Sequence, residues 1–326
     1  MIFKNLAETF VRLVTRNSQA NLTSGISRPP NFGAKEMKPS NQNSYERLLT
    51  DAQVSAFRRD GFIKLDKFYD LESEVFPVQE GIRQIIGMMV EKYLPGKRME
   101  EGGDRQFDDG FLDLVSHDRA LGGRVYDAVK HLPAFVRLCA SKKHDSLMMQ
   151  LRETDLPGLP SGGSGIRIDI PFEDLFRANW HQDYPSQFRS MDGLVFWSPL
   201  VPITKEIGPL QIAVGSHREG IAPLLRNDPE NAEKSGAYAL RLRDEEELLG
   251  RYQKIEGYSE PGDLLLIDYL NLHASGHNRS DRARWSMQMR YFNYREPIGR
   301  GYDWVGSFAA GVDIGKVHPE LISSEP

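Results

Sequence analysis

Residues 261–294 read PGDLLLIDYLNLHASGHNRSDRARWSMQMRYFNY, and the architecture of the chain can be worked out from them. Gly262-Asp263 makes a turn, and Leu264 to Asp268 is a short apolar run bounded by turn residues, the pattern of a buried strand. After a segment rich in Gly and Asn, Arg284 opens a second strand with two distinct faces. Trp285, Met287, Met289 and Tyr291 share one face; Arg284, Ser286, Gln288 and Arg290 share the other. A hairpin turning near Asn278 and Arg279 would make residues 273 and 284 cross-strand neighbours, with Cβ atoms about 5 Å apart. A histidine and a guanidinium would then face one cavity.

Short strands of the same kind recur at Gly165–Ile170, Gly193–Leu200 and Pro209–Val214, separated by Gly, Pro, Asn and Asp. The chain before them is helical in pattern. Thr50 can cap a helix with Gln53 as capping-box partner, and Gly61 can end it. Phe62 to Phe68 alternates like a half-buried strand, a longer helix spans about Glu72 to Tyr93, and helical periodicity fills about 118 to 151. Helices followed by many short strands predict an α+β fold with a mainly β core, helices buttressing one sheet of a sandwich or barrel. Residues 1–47 read as an N-terminal arm or linker, opening with a short amphipathic segment at Met1–Thr15. Residues 48–326 read as a single domain with a charged insertion near 220–255, whose plain interpretation is a solvated helix.

Composition narrows the function classes. The chain has 326 residues, 40% hydrophobic and 27% charged, enough for a sizeable core without staples. One cysteine, Cys139, excludes an internal disulfide and a cysteine-rich zinc site, and its apolar helical neighbours make it core. A net charge of −5 with both signs interleaved argues against nucleic acid. No apolar run is long enough to span a bilayer, and a cytoplasmic location is the expectation.

The chemistry concentrates in two places. In Trp180-His-Gln-Asp183, an i, i+2 spacing on a strand turns His181 and Asp183 to the same side. An imidazole, a carboxylate and one further histidine make the facial triad of non-haem Fe(II) sites, which leaves the opposite side of the metal open. His273 can supply the third ligand. A keto acid chelating such a metal leaves a distal carboxylate, which Arg284's planar fork and the Ser275 hydroxyl could hold.

These residues resemble the phytanoyl-CoA dioxygenase family. The resemblance covers roughly residues 48 to 295. It runs through Leu49-Thr-x-x-Gln-x-x-x-Phe-x-x-Asp-Gly-Phe62, Trp180-His-Gln-Asp183, Gly208-Pro-Leu210, Gly215-Ser-His217, Pro261-Gly-Asp263 and His273-x-Ser-Gly-x-Asn278, with Arg284 eleven residues beyond the histidine. It implies a double-stranded β-helix (a cupin-like jelly roll) and dependence on Fe(II), 2-oxoglutarate and O2. It makes His181, Asp183 and His273 the iron ligands and catalytic centre, and Arg284 and Ser275 the partners of the cosubstrate's distal carboxylate. Trp197 becomes a wall of the cosubstrate pocket, or else a core aromatic. His277 stands where the family often has proline, a second histidine beside the ligand.

The implied activity is hydroxylation of an unactivated C–H bond in a small-molecule substrate, releasing succinate and CO2. The alternative is a cupin-type metal-binding protein or a metal isomerase that uses no O2. Arg167 precedes the metal motif on a strand, where it either reaches a ligand or forms a structural ion pair. His117, His131, His144 and His318 are expected at the surface or at caps.

Overall fold

A computed structural model describes residues 45–99, 102–103, 105–160, 162–225, 228, 240–306 and 314–322. The expected arm over 1–47 lies outside these up to residue 44, as does the centre of the charged insertion.

Helix α1 (Asp51–Asp60) carries the full capping box: the Thr50 hydroxyl accepts from Gln53 N while the Gln53 side chain accepts from Thr50 N at 2.9 Å. Gly61 ends it in the left-handed region at φ 79°, where a Cβ would sit 2.4 Å from His217 Nδ1 and 2.5 Å from Asn271 Oδ1. Strand β1 (Phe62–Leu65) follows. A π-type turn at Leu71–Val75 leads into α2 (Phe76–Tyr93), which buries Val78, Ile82, Ile86 and Val90 as one stripe at four-residue spacing. The helical pattern over 118–151 resolves into α4 (Arg119–Val129), α5 (Pro133–Cys139) and α6 (Lys142–Arg152), interrupted at Pro133 and at the Ser141 cap. Ahead of them, α3 (Phe111–His117) has too few residues to declare a period.

The strands are β2 (Pro157–Gly158), β3 (Gly165–Asp169), β4 (Leu194–Pro199), β5 (Leu210–Ala213), β6 (Leu224–Leu225), β7 (Arg241–Leu242), β8 (Lys254–Gly257), β9 (Leu264–Asp268), β10 (His273–Ser275) and β11 (Arg284–Asn293). Six form an antiparallel sheet in the order β1-β9-β4-β11-β2, with β3 also on β11. Three form a second sheet, β10-β5-β8, and β6 pairs with β7. The two faces of β11 separate as its alternation predicts. Trp285 meets Phe107 and Phe111 edge-on, and the Tyr291 hydroxyl donates to Cys139 O at 2.8 Å on α5. On the opposite face, Gln288 and Arg290 belong to the site described below. In register, Gln288 faces Trp197 of β4, which faces Leu265 of β9.

Two expectations are corrected. Residues 273 and 284 are not cross-strand neighbours: β10 pairs with β5, whereas β11 pairs with β3 and β4. Instead of a tight hairpin, residues 276–283 cross between sheets. Gly276 N bonds Pro209 O, and the Asn278 side chain closes a loop by donating to Asp169 O and Arg282 O. His144 and His318 are buried rather than superficial, each hydrogen-bonded through Nε2 to a tyrosine hydroxyl, Tyr69 and Tyr184 respectively, although His318 does stand at a cap, ahead of the 3-10 turn Pro319–Leu321. Among the described residues no helix is long and apolar enough to cross a membrane.

Candidate metal centre

His181 and His273 are joined by a single antiparallel bridge, each backbone N–H donating to the other's carbonyl at 3.0 and 3.1 Å. Their rings lie 4.3 Å apart between centroids. His181 Nδ1 is 2.7 Å from Asn179 O and His273 Nδ1 is 2.9 Å from Asn271 O. A carbonyl can only accept, so both Nδ1 atoms carry hydrogen and both Nε2 lone pairs are left for a metal. Asp183 completes the group, with one ligand atom from each of the three residues lying within 4.8 Å of the others.

The expected regular strand through His181 and Asp183 is only half realised. His181 sits in the bridge, but Asp183 has φ −73° and ψ −32° and starts the helical turn Tyr184–Gln187, where Pro185 favours a helix start. Backbone bonds from Asp183 N and Tyr184 N to Tyr269 O fix that turn at 2.9 and 3.2 Å. Gln182, between the ligands, donates to Gly220 O and Leu270 O and accepts from Ala222 N. It ties the metal segment to the start of the insertion.

Asp183 is 1% exposed, and its Oδ2 has no hydrogen-bond partner although His273 Nε2 lies 3.4 Å away. A buried, unsatisfied carboxylate oxygen is costly. A cation between it and the two Nε2 atoms removes that cost, so the donor set fits a divalent transition metal. Burial by itself would raise the Asp183 carboxyl. The Arg290 guanidinium beside it, then His273 and His181, hold it far below the usual carboxylate range. Burial, then the neighbouring His273, pushes His181 down to about 4, so the imidazole stays neutral and able to coordinate.

The triad opens on a cavity of about 600 Å³ lined from both sheets: Val195, Trp197, Gln288 and Arg290 on one side, Leu210 and His273 on the other. Ser275 and Trp197, two of the expected cosubstrate residues, line it. Arg284 does not. Its side chain is 1% exposed, with Nη2 and Nε 2.8 and 3.3 Å from Asp169 Oδ2 and Nη1 on Gly208 O. Asp169 also holds Arg167, Nη2 to Oδ1 at 2.8 Å. Against its burial, these two guanidiniums keep the Asp169 carboxyl down at about 2. Of the two readings of Arg167, the ion pair is present, and Arg167 also borders the cavity.

Arg290 was missed as a site residue. It donates from Nε to Asp183 Oδ1 at 3.0 Å and from Nη1 to Gly163 O at 2.9 Å. The signal was available, since Arg290 lies on the same β11 face as Arg284. His277, the second histidine of the motif, is half exposed and bonded to Asp174 at 2.9 Å, away from the triad.

Comparison with known proteins bears on the family. The family described as "Phytanoyl-CoA dioxygenase (PhyH)" matches residues 57–286 of this chain. No curated protein matches significantly. Similar solved structures include the non-haem α-ketoglutarate-dependent carbocyclase SnoK from nogalamycin biosynthesis, with TM-score 0.48, 16% identity, and 80% of this chain and 92% of that one covered. EctD from S. alaskensis with bound Fe has TM-score 0.48 at 16% identity, covering 78% and 79%. The epimerase SnoN from nogalamycin biosynthesis has TM-score 0.43 at 15% identity, covering 74% and 81%. These likenesses are distant, and the family assignment rests on the sequence match.

Proposed function

The chain belongs to the phytanoyl-CoA dioxygenase family, and on that premise we propose that it is an Fe(II)- and 2-oxoglutarate-dependent dioxygenase that hydroxylates an unactivated C–H bond of a small molecule. The observation that carries this is the His181, Asp183 and His273 cluster, with its buried, unsatisfied Asp183 Oδ2, on a cavity lined from both sheets. We read the two facing antiparallel sheets as the double-stranded β-helix of such enzymes.

His181 Nε2, His273 Nε2 and Asp183 Oδ2 would hold the iron. Bound iron with 2-oxoglutarate supplies O2 activation coupled to oxidative decarboxylation of the cosubstrate, giving succinate and CO2. The protein's own work is positioning. Asn179 O and Asn271 O fix the imidazole tautomers. Arg290 balances the Asp183 charge and holds its Oδ1, leaving Oδ2 for the metal. Trp197, Val195 and Leu210 are buried walls that keep bulk water away. Asp183 itself favours hydroxylation, because related halogenases replace this carboxylate with a small residue to make room for halide.

Arg284 and Ser275 are proposed to take the cosubstrate's distal carboxylate. Asp169 already has Arg167 as a second partner, so it can shift toward Arg167 and release part of the Arg284 fork. The same Asp169–Arg284 pair is what favours the second reading, a cupin-type metal protein in which Arg284 is purely structural. Iron-loaded protein incubated with 2-oxoglutarate and 18O2 distinguishes them. An oxygenase forms succinate carrying one 18O atom, and with its substrate an alcohol carrying the other. No succinate above the iron-only control leaves the cupin reading. Succinate with a product that lacks 18O moves the outcome to desaturation, epimerisation or ring formation.

A further inference from the structure

Among the described residues three guanidiniums line the cavity, and two of them have a carboxylate in hydrogen-bond contact: Arg167 on Asp169 and Arg290 on Asp183. Arg177 differs. It lies four residues before His181 and lines the cavity with a side chain 21% exposed. Its Nη1 donates to Ser275 O at 2.9 Å and its Nη2 to Asn179 Oδ1 at 3.0 Å, both neutral acceptors. Its Nε is buried without a hydrogen-bond partner. The nearest acid, Asp174, has Oδ1 4.0 Å from that Nε and is already committed to Arg279 at 2.6 Å and His277 at 2.9 Å.

A buried N–H without an acceptor is a standing cost that an incoming oxygen removes. Burial lowers the Arg177 pKa even though Asp174 and Glu245 act in the other direction, with Arg241 and Arg167 adding to the decrease. The arginines with resolved shifts elsewhere among the described residues, such as Arg279 and Arg152, are raised by acids beside them. Arg177 is therefore an under-compensated cation.

We propose that Arg177 receives a carboxylate of the substrate, at a subsite separate from the cosubstrate anchor, and that the substrate is a carboxylic acid with an apolar body. One guanidinium with an unsatisfied Nε–H suits a monoanionic carboxylate; a phosphate dianion asks for more donors than this position offers. The apolar body is set by the other lining residues: Trp180, Leu210, Leu224, Leu240 and Leu242. Three of these belong to the insertion after Gly220, so the insertion supplies cavity wall as well as the exposed helical turn at Glu245–Gly250. The substrate assignment rests on the oxygenase reading of the same cavity; the Arg177 anion subsite does not.

The test uses full-length protein loaded anaerobically with Fe(II) and saturating 2-oxoglutarate, so that the cosubstrate position is filled. Octanoate and octanamide are titrated separately, with tryptophan fluorescence as readout, because Trp180 and Trp197 both line the cavity. Wild type is expected to bind the acid about tenfold or more tightly than the amide, as a charge-assisted pair should. Arg177→Gln should erase that preference and Arg177→Lys should keep part of it. In both variants, 2-oxoglutarate affinity read from the charge-transfer band should stay within about twofold of wild type, less than the loss of even one net hydrogen bond.

Equal affinities in wild type, no octanoate binding, or a preference that survives Arg177→Gln would each overturn the proposal. Loss of 2-oxoglutarate affinity in Arg177→Gln would overturn it differently, by tying Arg177 to the cosubstrate position, directly or through the Ser275 carbonyl it holds. Failure of the oxygenase reading has its own signature, a wild type with iron but no charge-transfer band; the acid-over-amide comparison is then run with the metal alone and still decides the role of Arg177.

Discussion

At the scale of single residues, the metal centre depends on how two carboxylates are shared among arginines. Asp183 gives Oδ1 to Arg290 and keeps Oδ2 for the ion. Arg290→Gln removes the counter-charge that holds the carboxylate in place, and metal affinity is expected to fall about 10- to 100-fold, as for other partners of metal ligands. Co(II) titration followed by its visible absorption measures this directly; unchanged affinity would make Arg290 a bystander. Arg284→Gln should leave Co(II) affinity intact and weaken 2-oxoglutarate about 10- to 100-fold, the range for losing hydrogen bonds to a charged group. Asp169 stands between Arg167 and Arg284, so Asp169→Asn leaves two guanidiniums near each other in a buried place. A loss of about 3 kcal/mol in urea unfolding is expected, the scale for breaking a buried ion pair from one side.

At the scale of elements, the clearest sequence signals are those with purely local causes. The Thr50–Gln53 box and the Gly61 stop bound α1, and the alternation along β11 separates the helix-facing Trp285 and Tyr291 from Gln288 and Arg290, which line the cavity. The buried run Leu264–Asp268 is a strand as its composition predicts. What failed was pairing. The register of β10 against β5, and of β11 against β3 and β4, is set by contacts between residues 61 to 123 positions apart, which no local pattern encodes. Asp183 left the expected strand because Pro185 and the Tyr269 carbonyl favour a helical turn. Arg284 could be assigned to the right face, but Asp169 could not be foreseen as its partner. Two substitutions test the packing. Trp285→Ala should cost about 3–5 kcal/mol, the range for emptying a large buried aromatic site. Gly61→Ala should destabilise α1 and its contact with Asn271 by at least about 1 kcal/mol, since a side chain there meets both the left-handed backbone and His217. An unfolding midpoint unchanged in either variant would contradict the packing described.

At the scale of the whole molecule, stability should depend on acid well above the carboxylate range. His144 is fully buried against Tyr69, Phe196 and Tyr291, and burial pushes its pKa down to about 3 from an ordinary 6.5. Below 6.5 the unfolded chain takes up a proton that the folded chain refuses, so stability falls as pH drops from about 6.5 toward 3. The slope contributed by one such group approaches about 1.4 kcal/mol per pH unit. Urea unfolding at pH 6.5, 5.5 and 4.5 should show it, and His144→Phe, which keeps an aromatic ring against Phe196, should flatten it; equal slopes would mean His144 is not held neutral. The central claim, however, concerns the metal and its cosubstrate. The most direct measurement is anaerobic: metal-free protein is given Fe(II), then 2-oxoglutarate, and the visible spectrum is followed in wild type, Arg284→Ala and His273→Ala. A weak metal-to-ligand charge-transfer band should appear in wild type, need more cosubstrate in Arg284→Ala and be absent in His273→Ala. A folded, iron-loaded wild type that develops no band would contradict the 2-oxoglutarate assignment and leave a metal-binding protein of another kind.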